Sequence, residues 1–117
     1  MRTMLLAAVF AVAAASPAFA ADPMAPYYGN TTMVTDATGA VVKYQFDAGG
    51  AYVAIAPDGV KLTGAYTVAN GKICLKPDAA NAPAGCAPQV DGKKAGDTWE
   101  ITNDQGQKLS VKLVAGR

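Results

Sequence analysis

Val60-Lys-Leu-Thr-Gly-Ala-Tyr-Thr-Val-Ala-Asn-Gly-Lys-Ile-Cys-Leu75 decides the fold. Val60 and Leu62 alternate with Lys61 and Thr63, Tyr66 and Val68 flank Thr67, and Ile73 and Leu75 flank Cys74. Successive side chains of a strand point to opposite faces, so each run carries one apolar face and one polar face. Asn70-Gly71 divides the runs, and this dipeptide accepts the positive φ angles of a tight hairpin. Gly64 interrupts the first run and is expected to bulge or bend it.

The same pattern extends in both directions. Upstream, Ala40–Asp47 places Val42, Tyr44 and Phe46 on one face and Lys43, Gln45 and Asp47 on the other. Gly49-Gly50 then turns the chain into residues 51–56, where the alternation fits either Tyr52 or the pair Val53/Ile55 as the inward set. Pro57-Asp58-Gly59 is a turn, because proline presets φ and glycine takes the left-handed position. Downstream, Thr98–Thr102 and Gln107–Val114 flank the turn Asn103-Asp104-Gln105-Gly106. Trp99, Ile101, Leu109, Val111 and Leu113 face inward there, with Lys108, Ser110 and Lys112 outside.

No segment after residue 20 has a helical period. The expected fold is therefore all-β, an antiparallel meander of seven or eight short strands. Such a sheet curls or closes to remove its edges, giving a small barrel or a tight sandwich. Val42, Tyr44, Phe46, Val60, Leu62, Tyr66, Val68, Ile73, Leu75, Trp99, Ile101, Leu109, Val111 and Leu113 have enough bulk to fill an eight-stranded barrel. A filled interior is the expectation, and a ligand cavity is the alternative.

The first 20 residues read as a secretory signal peptide. Arg2 precedes the apolar run Leu5–Ala15, Ser16-Pro17 breaks it well short of a membrane span, and Ala18-Phe19-Ala20 is a small-residue exit. Cleavage after Ala20 leaves 97 of the 117 residues, enough for one domain. Residues 21–30 contain two prolines and no periodicity, so they are expected to form a flexible N-terminal arm, and 31–117 a single β domain. No stable membrane insertion is expected after cleavage.

Cys74 and Cys86 are the two cysteines of the chain. Export delivers them to an oxidising compartment, which argues for one disulfide bond between them. Its loop closure is worth about 3 kcal/mol. With Ile73 and Leu75 inward, Cys74 faces outward, and the bond is expected to clip the loop 77–88 onto the outside of the sheet.

Composition excludes several functions. Of ten basic and nine acidic residues, Arg2 leaves with the signal peptide, so nine of each remain. No basic stripe suited to nucleic acid is present, and Lys93-Lys94 is the only adjacent basic pair. The chain has no histidine, which removes His-based triads and most zinc and copper sites. Ser110 sits mid-strand without a neighbouring base. Glu100 alternates outward beside Trp99. Asp36, Asp47, Asp58 and Asp104 occupy turns and strand ends, where a carboxylate bonds local backbone. No catalytic residue, cofactor or metal site is expected.

Tyr44-Gln-Phe46, Gly50-Ala-Tyr52, Pro57-Asp-Gly59, Gly64-Ala-Tyr66-Thr-Val68 and Gly71-Lys-Ile-Cys-Leu75 together resemble small lipocalin-like secreted domains of Gram-negative bacteria. In those domains a glycine- and tyrosine-bearing hairpin ending in Cys-Leu is followed by a second cysteine and a tryptophan-bearing strand. The resemblance covers residues 40–114 and implies a β-barrel and a periplasmic location. A second resemblance, to periplasmic inhibitors of secreted metalloproteases, implies a contact made by the arm 21–30.

The leading functional expectation is a non-enzymatic periplasmic or secreted binding or protein-interaction module. Its candidate contacts are Tyr27 and Tyr28 on the arm and Lys93 and Lys94 in the disulfide-pinned region 77–94. Tyr27 and Tyr28 have a structural alternative, plugging the mouth of the barrel. A carrier of a small apolar ligand and a protease-inhibitor-like protein are the alternative functions.

Overall fold

The computed structural model describes residues 22–80 and 84–117; the signal-peptide assignment to residues 1–20 lies outside them. Eight strands follow one another: β1 (Thr31–Thr35), β2 (Val41–Phe46), β3 (Ala51–Ile55), β4 (Lys61–Ala69), β5 (Lys72–Pro77), β6 (Gly85–Pro88), β7 (Thr98–Thr102) and β8 (Lys108–Val114). They form one antiparallel sheet in the order β6-β5-β4-β3-β2-β1-β8-β7. Every hairpin neighbour pairs except β6 and β7, and the β1–β8 pairing, with Val34 opposite Val111, wraps the sheet round. The result is a nearly closed barrel, so the sandwich alternative falls away.

The remaining seam lies between β6 and β7, and the sequence explains it. The Gln89 amide donates to the Gly71 carbonyl (2.9 Å), toward β5. Backbone groups alternate along a strand, so the position before it turns toward β7. That position is Pro88, which has no N–H to offer. One bond crosses nearby, from the Asp104 amide to the Cys86 carbonyl (3.1 Å). Lys72 reinforces the crossing with an ion pair to Asp104 (2.9 Å).

Cys74 and Cys86 are bonded, and they are directly opposed residues of β5 and β6. The disulfide therefore staples the edge strand to its neighbour. The sequence reading took all of 77–88 as a loop; Gly85–Pro88 is instead strand β6, too short and proline-flanked to show an alternation.

Two further expectations are corrected. Gly64 makes no bulge, since its register is unbroken on both sides, opposite Tyr52 on β3 and Pro77 on β5. Its role is space: a Cβ there would meet the Lys76 carbonyl oxygen at 2.5 Å and the Tyr52 ring at 2.7 Å. The Tyr52 ring lies over the bare glycine backbone, which also settles β3: Tyr52 and Ala54 are buried inward, and Val53 and Ile55 face out. Val60, expected inside, is 53% exposed. It belongs to the β3–β4 turn, where its amide donates to Asp58 Oδ1 (3.0 Å), so the strand alternation does not extend to it.

The packed part of the core sits at one end of the barrel. Phe46 stands edge-on to Tyr66 (5.1 Å between ring centres) and to Tyr27 (6.4 Å), and Leu113 is fully buried beside them. The Tyr66 hydroxyl donates to the Asp47 carbonyl across the neighbouring turn. The C-terminus ties down the same end: Thr31 Oγ1 donates to Gly116 O (2.8 Å), and Arg117 pairs with Asp47 (3.0 Å).

Candidate functional site: a one-ended apolar calyx

Residues 22–30, expected to be a flexible arm, are packed against that end. Pro23 to Tyr27 wind into a short 3₁₀ turn over Ala25–Tyr27, and Met24 and Tyr27 are both buried. Tyr27 is edge-on to Trp99 (6.3 Å) as well as to Phe46, and its hydroxyl donates to Val90 O (2.9 Å). Gln89 Nε2 donates to Pro23 O (2.9 Å). Burial, with a smaller contribution from the Asp91 charge, pushes the Tyr27 phenol up to about 12. Of the two roles considered for Tyr27, the structure gives it the plug. Met24 shares that role without a sequence signal, since a single methionine has no period.

Tyr28 is half-buried, and its hydroxyl donates to Asp22 Oδ2 (2.7 Å). Burial first, and this carboxylate second, hold its phenol above the usual range. Lys93 places its ammonium 5.1 Å from the centre of the Trp99 ring. Lys94 is exposed, with its backbone amide bonded to Asp97 Oδ2 (3.0 Å). Tyr27 and Lys93 thus meet at Trp99, whereas Tyr28 is tied to Asp22 and Lys94 to Asp97. Within the loop 77–94, residues 81–83 are outside the described region.

The other end of the barrel is open. A cavity of about 340 Å³ runs from the Tyr27 plug to a rim that includes Asp36, Asn103, Gln105 and Gln107. Its wall is built by the inward faces of β1, β2, β5, β6, β7 and β8, with Tyr44, Phe46, Ile73, Leu75, Trp99 and Ile101 among the bulky lining groups. A filled interior was the expectation; the structure shows instead a barrel packed at one end and hollow toward the other. Ile73, Leu75, Ile101 and Leu109 are accordingly only half-buried, although all of them point inward. Opposite Ile73 and Leu75 stand Ala87 and Gly85, and these small residues of β6 leave the space unfilled.

The chemistry of the wall is simple. Among the described residues no lysine or arginine lines the cavity, and Asp36, at the rim, is the one charged residue that does. The Thr38 hydroxyl and the Ala40 amide donate to Asp36 and hold its carboxyl below the usual range, so it is ionised at neutral pH. Deeper in, Thr32 and Tyr44 are paired across β1 and β2. Burial raises the Tyr44 phenol, with the neighbouring Tyr52 contributing less, so Tyr44 is a neutral hydroxyl. Thr32 is 6% exposed, and its Oγ1 is the one buried side-chain polar atom without a hydrogen-bond partner among the described residues.

The carboxylates dismissed as turn residues are found in turns. Asp36 and Asp58 cap local amides, while Asp47 and Asp104 hold Arg117 and Lys72. Ser110 and Glu100 are paired on the outer face of β8 and β7. Among the described residues, no three cysteine or acidic side chains converge as a metal cage would require, and no helix is long and apolar enough to cross a membrane. Comparison with protein-family models, with curated proteins and with solved structures found no match to this chain.

Proposed function

We propose that this chain is a non-enzymatic binding protein that carries a small apolar ligand inside its barrel, in the periplasm or outside the cell. The observation that carries the reading is the cavity of about 340 Å³, apolar along its wall and polar at its rim. That volume is at the small end of the range for small-molecule pockets, and a mostly apolar wall with a few polar groups is their usual composition. The Cys74–Cys86 bond fits an oxidising compartment, and the apolar run in residues 1–20 supports export. The barrel fits a lipocalin-like architecture, which is the shape such carriers use.

A protein contact through the arm, as in the inhibitor-like alternative, is supported less well. Met24 and Tyr27 are turned into the barrel, and Lys93 is laid over Trp99, so three of the arm and loop side chains are occupied internally.

The test uses N-phenyl-1-naphthylamine, an uncharged dye that brightens in apolar surroundings. Trp99 is the only tryptophan and lines the cavity, so one dye per chain should quench its emission. Ala87→Phe fills the cavity from β6 and should abolish the effect. Dye that does not bind, or that binds the filled variant equally well, contradicts the reading.

A further inference from the structure

We infer that the calyx selects an uncharged apolar molecule carrying one hydroxyl or carbonyl group, which pairs with Thr32. This rests on the carrier reading and adds the chemistry of the ligand. A buried hydroxyl without a partner is uncommon in folded proteins and calls for a specific explanation. Thr32 is such a case, and it forms part of the cavity wall. Its position on β1 is fixed between Tyr44 on β2 and Leu113 on β8, neither of which satisfies it. Thr32 Oγ1 is itself closed off from the cavity in this structure, but hydroxyl and methyl share one Cβ, so a ligand would draw the hydroxyl to it by a step about χ1. A threonine hydroxyl both donates and accepts, and so matches a carbonyl or a hydroxyl of the ligand.

The electrostatics of the wall disfavour a fatty carboxylate whose head group lies deep, beside Thr32. An ionised carboxylate brought into an apolar site needs a cation or several donors to replace its hydration. Among the described residues the cavity has no lysine or arginine in its wall, and the one charge there, Asp36, is negative and stands at the entrance. Lys93 lies on Trp99 but is not part of the wall. An alcohol or ketone meets none of these penalties, and gains the hydrogen bond that Thr32 lacks among the described residues.

Isothermal titration with 2-naphthylmethanol, naphthalene and 2-naphthoate at pH 7 tests both halves. The wild-type protein should bind the alcohol most tightly and the carboxylate least. Thr32→Val keeps the branched shape and removes the hydroxyl; it should weaken the alcohol roughly 3- to 10-fold, the worth of one neutral hydrogen bond, and leave naphthalene unchanged. Thr32→Ser should retain the preference for the alcohol. Equal binding of the alcohol by wild type and Thr32→Val, or of carboxylate and alcohol by the wild type, overturns the inference while naphthalene binding still upholds the calyx. If none of the three binds the wild type, the inference falls together with the carrier reading.

Discussion

Gly64→Ala is a one-carbon change whose sign distinguishes this barrel from a generic sheet. On propensity alone it should help, since glycine within a strand costs roughly 0.5–1 kcal/mol relative to alanine. The structure reverses that expectation. The new Cβ would sit 2.5 Å from the Lys76 carbonyl oxygen and 2.7 Å from the Tyr52 ring, whereas real contacts of this kind stay beyond 3.0 Å. The carbonyl belongs to the β4–β5 ladder, so at least about 0.5 Å must come from moving a paired strand or displacing a buried ring that packs on Phe46 (6.3 Å between ring centres). Overpacking of this kind costs about 1–3 kcal/mol, which at the middle of both ranges leaves a net loss of about 1 kcal/mol. For a domain of this size that lowers Tm by roughly 4–8 °C. The control is Gly49→Ala, where a Cβ meets nothing within 4 Å and φ is not left-handed; its stability should be unchanged or slightly raised. Thermal unfolding of both variants gives the answer. A Gly64→Ala protein as stable as wild type would refute the packing of Tyr52 on Gly64.

Three further outcomes are expected. Cys74→Ser with Cys86→Ser removes a bond spanning 12 residues and should lower stability by about 3 kcal/mol, with amide exchange rising first in β6 because that strand has only β5 as a ladder partner. Tyr27→Ala removes the plug and should cost about 3 kcal/mol or more, measured by urea unfolding; a contact residue on a loose arm would leave the midpoint unchanged. Tyr27 also gives a signature in alkali. Its phenol rises from 10.0 to about 12 on folding, so the associated stability is intact below pH 10 and is lost as the pH climbs through 12. Two units correspond to at most about 2.7 kcal/mol, and wild-type Tm should therefore fall more steeply than that of Tyr27→Phe between those values.

The strands with clean alternation were legible from residues alone. Val42, Tyr44 and Phe46, or Leu109, Val111 and Leu113, read inward and are inward, because period-two patterning is what a one-sided sheet imposes. The β3 face was not legible, since Tyr52, Val53 and Ile55 are all apolar; the pairing with Gly64 decides it, and that is a relation between strands. Val60 misled for the opposite reason, an alternation that continues by coincidence into a turn. The plug was legible only as one of two roles for Tyr27 and Tyr28, and the part of Met24 was not legible at all, because these residues act through tertiary packing with no repeat to announce them.

The hollow interior was the hardest feature to foresee. Summed side-chain bulk suggested a full barrel, but bulk is unevenly distributed along it. Phe46, Tyr52, Tyr66, Leu113, Met24 and Tyr27 crowd one end, while β6 contributes no residue bulkier than Cys86 or Pro88 to the wall of the other, with Gly85 and Ala87 beside them. Barrel radius depends on strand number, tilt and stagger, and none of these is written in a local pattern. The cue that was present, a small-residue stretch from Ala79 to Ala87, was read as loop composition.

Native mass spectrometry of the protein, isolated without detergent from its own host, tests the calyx most directly. A carrier should fly with a discrete small-molecule surplus that dissociates as a neutral on activation and is missing from Ala87→Phe prepared in the same way. Wild type and Ala87→Phe both bare, or both in the same larger protein assembly, would contradict a ligand held inside the barrel.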